Sequence, residues 1–189
     1  MEVLEAIKTR RSIRRYKADP VDDKTIEAVL EAARWAPSWK NLQCSRFVVV
    51  RDDKMRNQLA DTLFDIGKDM PNPAVKALRA APVVIVACAE LGKSGYNNEG
   101  KLSTDKGEYW YMFDVALAMQ NLSLTAHSLG LGTVHVGGFD ARRVADMLEV
   151  PPDFCVVSMT PLGYPDQEPK ARPRKELSEI VFYGKFGSG

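Results

Sequence analysis

The sequence predicts one domain built from both helices and buried strands. Its length of 189 residues suits a single domain with a sizeable core, and 45% hydrophobic with 27% charged residues is typical of globular proteins. Residues 82–89 are apolar throughout, which predicts a strand covered on both faces. Segments with helical spacing of apolar residues lie on either side of such strands, and no repeat or linker divides residues 1–189.

The first half of the chain is predicted to hold four helices and two strands. A short amphipathic helix at residues 3–8 precedes a basic segment. A longer helix begins at a cap provided by Asp22 or Asp23, carries an apolar stripe that extends to Trp35, and stops at Pro37. The elements that follow are a strand at residues 47–50, a helix at 54–66, a turn at 71–73, a helix near 75–79 and the strand at 82–89.

Two segments of the second half are predicted to have special roles. Residues 92–107 hold four glycines and no periodicity, which predicts a mobile lid. The helix predicted at residues 108–129 has almost no polar face, so we expect it to be buried in a large core or against a second subunit. After it come a strand at residues 133–136, a helix at 141–148, a strand at 154–162, and an extension at 166–189 whose aromatic side chains are expected to dock on a partner subunit.

Charge and cysteine content exclude several kinds of protein. With 26 Lys and Arg against 25 Asp and Glu, the chain lacks the cationic excess of a general nucleic-acid binder. Three widely spaced cysteines and two histidines supply neither a disulfide framework nor a metal site, so the cysteines are expected to fill apolar core. No signal-peptide pattern opens the sequence, and no apolar run reaches the ~20 residues that a bilayer requires. We therefore expect a cytoplasmic protein without membrane attachment.

Two nucleotide-binding patterns fail on inspection. A Gly-Lys-Ser triplet at residues 92–94 follows a buried strand, but the first glycine of a phosphate-binding loop would fall on Ala87. The Gly-x-Gly of residues 130–132 has His135 at the third glycine position of a dinucleotide fingerprint and follows a helix instead of a strand. Neither ATP hydrolysis nor a Rossmann-type NAD site is predicted.

The stronger signal is a basic segment at residues 8–17, which holds six cations and no anion. By itself it could be a solvated turn. In extended backbone, however, Arg10, Ser12 and Arg14 would point to one face, where guanidinium and hydroxyl groups suit a phosphate. A second cationic group, residues 170–175, lies near the other end of the chain. The pair predicts one discrete anionic ligand held between distant segments.

Residues 36–43 form a turn rich in amide and hydroxyl groups. One interpretation is a helix-stop loop in which Ser38 and Asn41 bond locally. The other is a ligand site, because Asn41 and Gln43 each carry the donor and acceptor needed to read the edge of a heterocycle. The glycine-rich run at residues 130–138 would let a flat ring approach the backbone.

An ordered set of motifs covers nearly the whole chain. Its members are Arg10-Arg11-Ser12-Ile13-Arg14, Pro37-Ser38-x-x-Asn41-x-Gln43, Gln120-Asn121, Leu129-Gly130-Leu131-Gly132, and Gly163-Tyr164-Pro165 with Arg172 and Arg174. In this order the motifs resemble the FMN-dependent nitroreductase family. The resemblance implies an α+β flavoprotein with a central mixed, mostly antiparallel β-sheet flanked by helices, in an intertwined homodimer with two FMN sites at the subunit interface.

The resemblance also implies the cofactor-binding residues. Arg10, Arg11, Ser12 and Arg174 would hold the FMN phosphate and ribityl chain, with Arg172 as a further candidate. Arg14 would face the pyrimidine edge of the flavin. The ring contacts would come from the motif of Pro37, Ser38, Asn41 and Gln43, with Ser38 and Asn41 donated by the other subunit, and from Thr133, Val136, Gly137 and Gly138 on the opposite side.

Two positions depart from the family pattern. Cys44 stands where many members have proline, and His135 stands where many have tryptophan. Both could alter the pocket near the flavin.

The implied activity is an NAD(P)H-dependent FMN oxidoreductase. NADH or NADPH would reduce FMN at N5, and an electron-poor acceptor such as a nitroaromatic or quinone would then oxidise it in ping-pong order, so no catalytic side chain or metal is required. Alternatives on the same scaffold are a reductive dehalogenase, a flavin-destroying enzyme and a non-catalytic flavin-binding sensor. A small nucleic-acid-binding module is the remaining alternative, which the balanced charge disfavours.

Overall fold

A four-stranded antiparallel sheet with strand order β1-β2-β4-β3 organises the chain. The computed structural model describes residues 1–68 and 70–187, so residues 188 and 189 of the expected extension lie outside the described residues. The strands are β1 (Ser45–Val50), β2 (Val83–Glu90), β3 (Gly132–Thr133) and β4 (Phe154–Gly163). The helices are α1 (Val3–Thr9), α2 (Asp23–Arg34), α3 (Asp53–Ala60), α4 (Ala74–Ala80), α5 (Trp110–Ser128) and α6 (Ala141–Met147). The predicted α+β class is confirmed.

Strand β2 is covered on both faces, as its apolar sequence predicts. Ile85 packs in a cluster with residues of α2 and α5, whereas Val84 packs in a second cluster with residues of α3, α4 and α6. This division follows from the alternation of side chains along a strand. Both residues are fully buried, so the sheet separates two apolar layers.

Several boundaries differ from the sequence prediction for local reasons. Helix α3 ends at Ala60 and not at residue 66. Beyond it, Phe64 donates its N–H to the carbonyl of Gly138 and not to a carbonyl of the helix. Trp35 does not join the buried stripe of α2: its side chain is exposed and its indole donates to Glu31. The strand expected at residues 133–136 is limited to β3 and a separate bridge between Val136 and Met159.

Helix α5 buries only part of its apolar surface within this chain. Asp114, Val115 and Leu122 are buried, but Met112 and Phe113 remain exposed at its N-terminal end. The extension also leaves apolar surface outside, with Phe186 94% exposed. Docking of these surfaces on a second subunit stays a prediction.

The segment at residues 92–107 folds as a series of turns. Tyr96 and Leu102 form an isolated antiparallel bridge, and Ser94 and Gly95 are buried against the body of the protein. A Cβ on Gly95 would lie 2.9 Å from the Cβ of Trp110. The segment therefore rests closely on the start of α5; its expected role as a variable lid stays a prediction.

Candidate functional site

The basic segment runs in extended backbone along the edge of the sheet. Ile13 donates its N–H to the carbonyl of Thr133 at 2.9 Å, and Lys17 donates to Tyr164 at 2.9 Å. Ile13 is buried, so its neighbours Ser12 and Arg14 point away from the core, as the alternation predicts. These bonds fix the direction in which the cations project.

Glycine at two motif positions permits this close packing. A Cβ on Gly132 would lie 2.7 Å from the Cβ of Ile13, and a Cβ on Gly163 would lie 2.6 Å from Cδ of Pro82. Both distances are shorter than non-bonded carbon atoms tolerate. The close approach at Gly132 thus serves the side chain of Ile13, whereas the sequence interpretation assigned the glycine-rich run to a flat ring.

The two cationic groups meet in one groove, which we call the basic groove. It has a volume of about 640 Å³. Its lining contains seven cations, Lys8, Arg10, Arg11, Arg14, Lys170, Arg172 and Arg174, together with the hydroxyl of Ser12. None of the described residues that line it carries a carboxylate. The predicted convergence of distant basic segments is therefore present in the fold.

Within the described part of the chain, ion pairs do not relieve the mutual repulsion of these cations. Burial, followed by the charges of Arg11 and Arg174, lowers the pKa of Arg10 from its ordinary value. None of the ion pairs found among the described residues uses a cation of the groove. A bound phosphate would offset this repulsion and accept several charge-assisted hydrogen bonds. The donor set fits the phosphate end of FMN.

Arg11 is only partly available to such a ligand. Its Nη1 donates to the carbonyl of Lys8 at 2.7 Å and to that of Arg10 at 2.9 Å. These carbonyls lie at the C-terminal end of α1, where a cation satisfies unpaired acceptors. Arg10 and Arg174 have no such bond within the described structure, so they are the stronger phosphate ligands.

The second group of predicted residues forms a strained turn at residues 37–43, which we call the amide turn. Lys40, Asn41 and Gln43 have φ values of 48°, 56° and 51°. Left-handed backbone at a non-glycine residue is uncommon and costs about 1–3 kcal/mol. Ser38 Oγ accepts the N–H of Gln43 at 2.9 Å, so the local bonding interpretation is correct for Ser38.

A buried carboxylate behind the amide turn was missed by sequence reasoning. Asp114 of α5 is 2% exposed. Its oxygens accept the backbone N–H of Trp39 at 3.1 and 3.2 Å, the hydroxyl of Ser94 at 2.6 Å and the thiol of Cys44 at 3.6 Å. The sequence signal was that Asp114 is the one acidic residue of α5.

Cys44 is fully buried, as the sequence predicted for a core cysteine, but its thiol has a polar neighbour in Asp114. Burial, helped by the charge of Asp114 and the hydrogen bond to it, raises the pKa of the Cys44 thiol to about 12. The thiol therefore stays protonated and donates. Cys88 fits the prediction better, since it is buried in the cluster beneath α3, α4 and α6.

The amide turn and the basic groove are separate surfaces of one chain. Pro37, Ser38 and Gln43 line a different cavity of about 380 Å³, with Asp114 at its wall. No described residue lines both this cavity and the basic groove. Asn41 is exposed beside it. One chain thus brings Arg10, Arg11, Ser12, Arg14, Arg172 and Arg174 together, but not with the amide turn.

The remaining predicted residues lie around β3. Thr133 and Val136 are buried, so only their backbone could meet a ligand directly. Gly137 and Gly138 are exposed, and the position of a Cβ on Gly137 is open space. His135, whose Nε2 lies 3.2 Å from Ser123 Oγ, has its pKa lowered by burial and by the charge of Arg10. This segment therefore lies beside the basic groove.

Two other classes of site were searched for in the described part of the chain. It contains no cluster of three or more His, Cys, Asp or Glu side chains able to hold a metal ion. None of its helices combines the length and apolarity needed to cross a membrane.

Comparison with known proteins identifies the family. The model of the nitroreductase family matches residues 7–164. A Thermus thermophilus protein named NADH dehydrogenase is 30% identical over 92% of each chain. A nitroreductase family structure from Clostridium novyi aligns with a TM-score of 0.76 at 31% identity, over 100% of this chain and 96% of that one. The Vibrio harveyi NADPH:FMN oxidoreductase complexed with NAD+ aligns with a TM-score of 0.80 at 27% identity, over 97% and 77%. The chain belongs to the nitroreductase family.

Proposed function

We propose that the protein is an NAD(P)H-dependent FMN oxidoreductase that acts as a homodimer. One observation carries the proposal: two cationic groups from opposite ends of the chain line a single groove without a carboxylate. That arrangement suits one compact dianion. The names of relatives in two organisms, an NADH dehydrogenase and an NADPH:FMN oxidoreductase, support a nicotinamide as the reductant.

Each residue of the basic groove would contact a part of FMN that depends on its position. Arg10 and Arg174 would bind the FMN phosphate, and Ser12 would add a hydroxyl donor from the extended segment that carries Arg10. Arg14, exposed at the end of the same alternating face, would place positive charge at the pyrimidine edge of the flavin. Positive charge there favours the reduced, anionic form.

The amide turn would complete the site from a second subunit. This part of the proposal rests on two features: the turn lines its own cavity away from the basic groove, and α5 exposes Met112 and Phe113 beside it. A dimer that buried these side chains would bring Ser38 and Asn41 of one chain toward the groove of the other. The ring would then lie between them and the backbone at Gly137 and Gly138.

When bound, FMN supplies the redox chemistry: it takes a hydride from NAD(P)H and delivers electrons to an electron-poor acceptor such as a nitroaromatic or quinone, in ping-pong order. The chain's own residues would bind the phosphate and hold the ring. No side chain has to act as nucleophile or general base.

Anaerobic titration of the purified, FMN-loaded protein tests the proposal. The expected result is loss of flavin absorbance near stoichiometric NADH or NADPH, followed by recovery when a nitroaromatic or quinone is added. Failure to retain FMN would contradict the cofactor assignment. Retention of FMN whose absorbance neither NADH nor NADPH bleaches would contradict the proposed enzymatic activity and favour a flavin-binding sensor.

A further inference from the structure

Asp114 is a buried carboxylate for which the proposed chemistry has no use. Burying an ionisable group is costly unless hydrogen bonds or an opposite charge compensate it. None of the ion pairs of the described residues involves Asp114. Its compensation comes from the four hydrogen bonds donated by Trp39, Cys44 and Ser94. The positions of these three donors in the sequence indicate the role of the carboxylate.

Two of these donors bracket the strained residues of the amide turn. Trp39 immediately precedes Lys40 and Asn41, and Cys44 immediately follows Gln43. Asp114 therefore holds both ends of the segment in which three residues adopt left-handed backbone. Such strain persists only where the surrounding structure fixes it. The local bond from Gln43 N–H to Ser38 Oγ closes the same turn from the residue that precedes Trp39.

The third donor belongs to the segment at residues 92–107. Ser94 makes the shortest of the bonds to Asp114 and so joins this segment to α5. A separate bond joins the segment directly to the amide turn, because the Trp39 indole donates to the Tyr96 carbonyl at 3.0 Å. The Trp39 ring also packs edge-on against Trp110, with centroids 5.1 Å apart. The amide turn and the predicted lid are thus tied to each other through one point on α5.

We propose that Asp114 is a positioning residue, which presets the amide turn for the flavin of the partner subunit and couples that turn to the segment at residues 92–107. The inference rests on the proposed FMN site. It implies that a change at the lid reaches the flavin through Ser94, Asp114 and Trp39. Neither Asp114 nor Ser94 needs to touch the flavin for this role.

The test compares Asp114→Ala, which removes every acceptor, with Asp114→Asn, which keeps one carbonyl acceptor for Trp39. Leu59→Ala serves as the control for lost stability, because Leu59 is fully buried in the cluster on the other face of the sheet. Asp140→Ala controls for loss of a backbone-bonding carboxylate, since Asp140 caps α6 away from the turn. FMN dissociation constants, thermal midpoints and tryptophan emission of the apoprotein are measured for each variant.

Asp114→Ala is expected to weaken FMN binding about tenfold or more, because the amide turn would no longer be held in its strained conformation. Its apoprotein is expected to show shifted tryptophan emission, because Trp39 loses its anchor. Asp114→Asn should recover most of the affinity. Leu59→Ala and Asp140→Ala should bind FMN like the wild type at temperatures where they are folded.

Three results would overturn the inference. One is a folded Asp114→Ala protein with wild-type FMN affinity and tryptophan emission. Another is equal loss of affinity in Leu59→Ala at a matched fall in thermal midpoint. If Asp114→Ala does not fold, Ser94→Ala decides, because it removes only the bond between Asp114 and the lid and leaves the bond from Trp39 to Tyr96 in place. A wild-type FMN affinity in Ser94→Ala contradicts the coupling through Asp114. If the wild type itself did not bind FMN, that result would instead contradict the proposed function on which the inference rests.

Discussion

The basic groove and the amide turn contribute to one proposed site but are stabilised in opposite ways. The groove gathers like charges from two segments: Arg10 lies on the extended segment that backbone bonds hold at the sheet edge, and Arg174 lies in the C-terminal extension. The amide turn has irregular backbone held by one buried carboxylate, Asp114. The charges of the groove converge from two segments of the chain, whereas the strained backbone of the amide turn depends on one buried anchor. Substitutions that change charge should therefore affect FMN binding most in the groove. In the amide turn, substitutions of the anchoring residue Asp114 should affect it most.

Reversing one groove charge should have the largest effect. We expect Arg10→Glu to weaken FMN binding by at least about 100-fold, because it removes a charge-assisted bond and adds repulsion to the phosphate. Arg15→Glu is the matched control, since Arg15 carries the same charge in the same segment but does not line the groove. Isothermal titration of both apoproteins with FMN measures the difference. Equal affinities would remove the phosphate assignment.

Moving the segment that carries the groove should have the next largest effect. Gly132→Ala would place a methyl group against Ile13, and overpacking of this kind costs about 1–3 kcal/mol. For a chain of this size we expect the thermal midpoint to fall by about 5 °C. Gly137→Ala is the control for stability, because its added Cβ meets nothing within 4 Å. Equal thermal midpoints in the two variants would show that the close contact between Gly132 and Ile13 does not limit stability.

Removing the charge at Arg14 should separate electron transfer from binding. Arg14→Ala is expected to slow anaerobic reduction of the flavin by about tenfold while changing the FMN dissociation constant by less than about threefold. Stopped-flow absorbance gives the first quantity and fluorescence titration the second. A normal reduction rate would show that Arg14 has no electrostatic role.

The smallest expected effect is a pH dependence of the free energy of unfolding that comes from Cys44, the residue after the amide turn. The pKa of Cys44 is raised to about 12 in the folded protein, so folding favours the neutral thiol. That stabilisation is complete below the unfolded pKa of about 8.5 and is lost as pH rises toward the folded value, because only the unfolded chain then ionises. Between pH 8 and about pH 9.3, urea unfolding should show the wild type losing about 1 kcal/mol more stability than Cys44→Ala. Parallel losses would contradict the buried, hydrogen-bonded thiol.

The two regions also differ in how far the sequence revealed them. Alternation of Arg10, Ser12 and Arg14 and the second cluster near Lys170 predicted the groove, because charge and strand periodicity are local properties. The α+β class and the buried strand β2 were predicted on similar grounds. Asp114 was not found, since its function depends on contacts with Trp39 and Ser94, which are distant in the chain. Likewise α3 ends early because Phe64 pairs with a distant segment.

A subunit-complementation experiment tests the central claim most directly. One chain carries Arg10→Glu. A second, differently tagged chain carries Asn41→Asp, which keeps a residue type that tolerates left-handed backbone but exchanges an amide donor for a carboxylate. Each variant alone should form a dimer that holds little FMN.

If each site combines the groove of one chain with the amide turn of the other, the mixed dimer contains one site in which both parts are unaltered. The account predicts that this mixed dimer recovers one FMN per dimer. A mixed dimer as empty of FMN as its parents would show that both parts act within one chain, and would contradict the account.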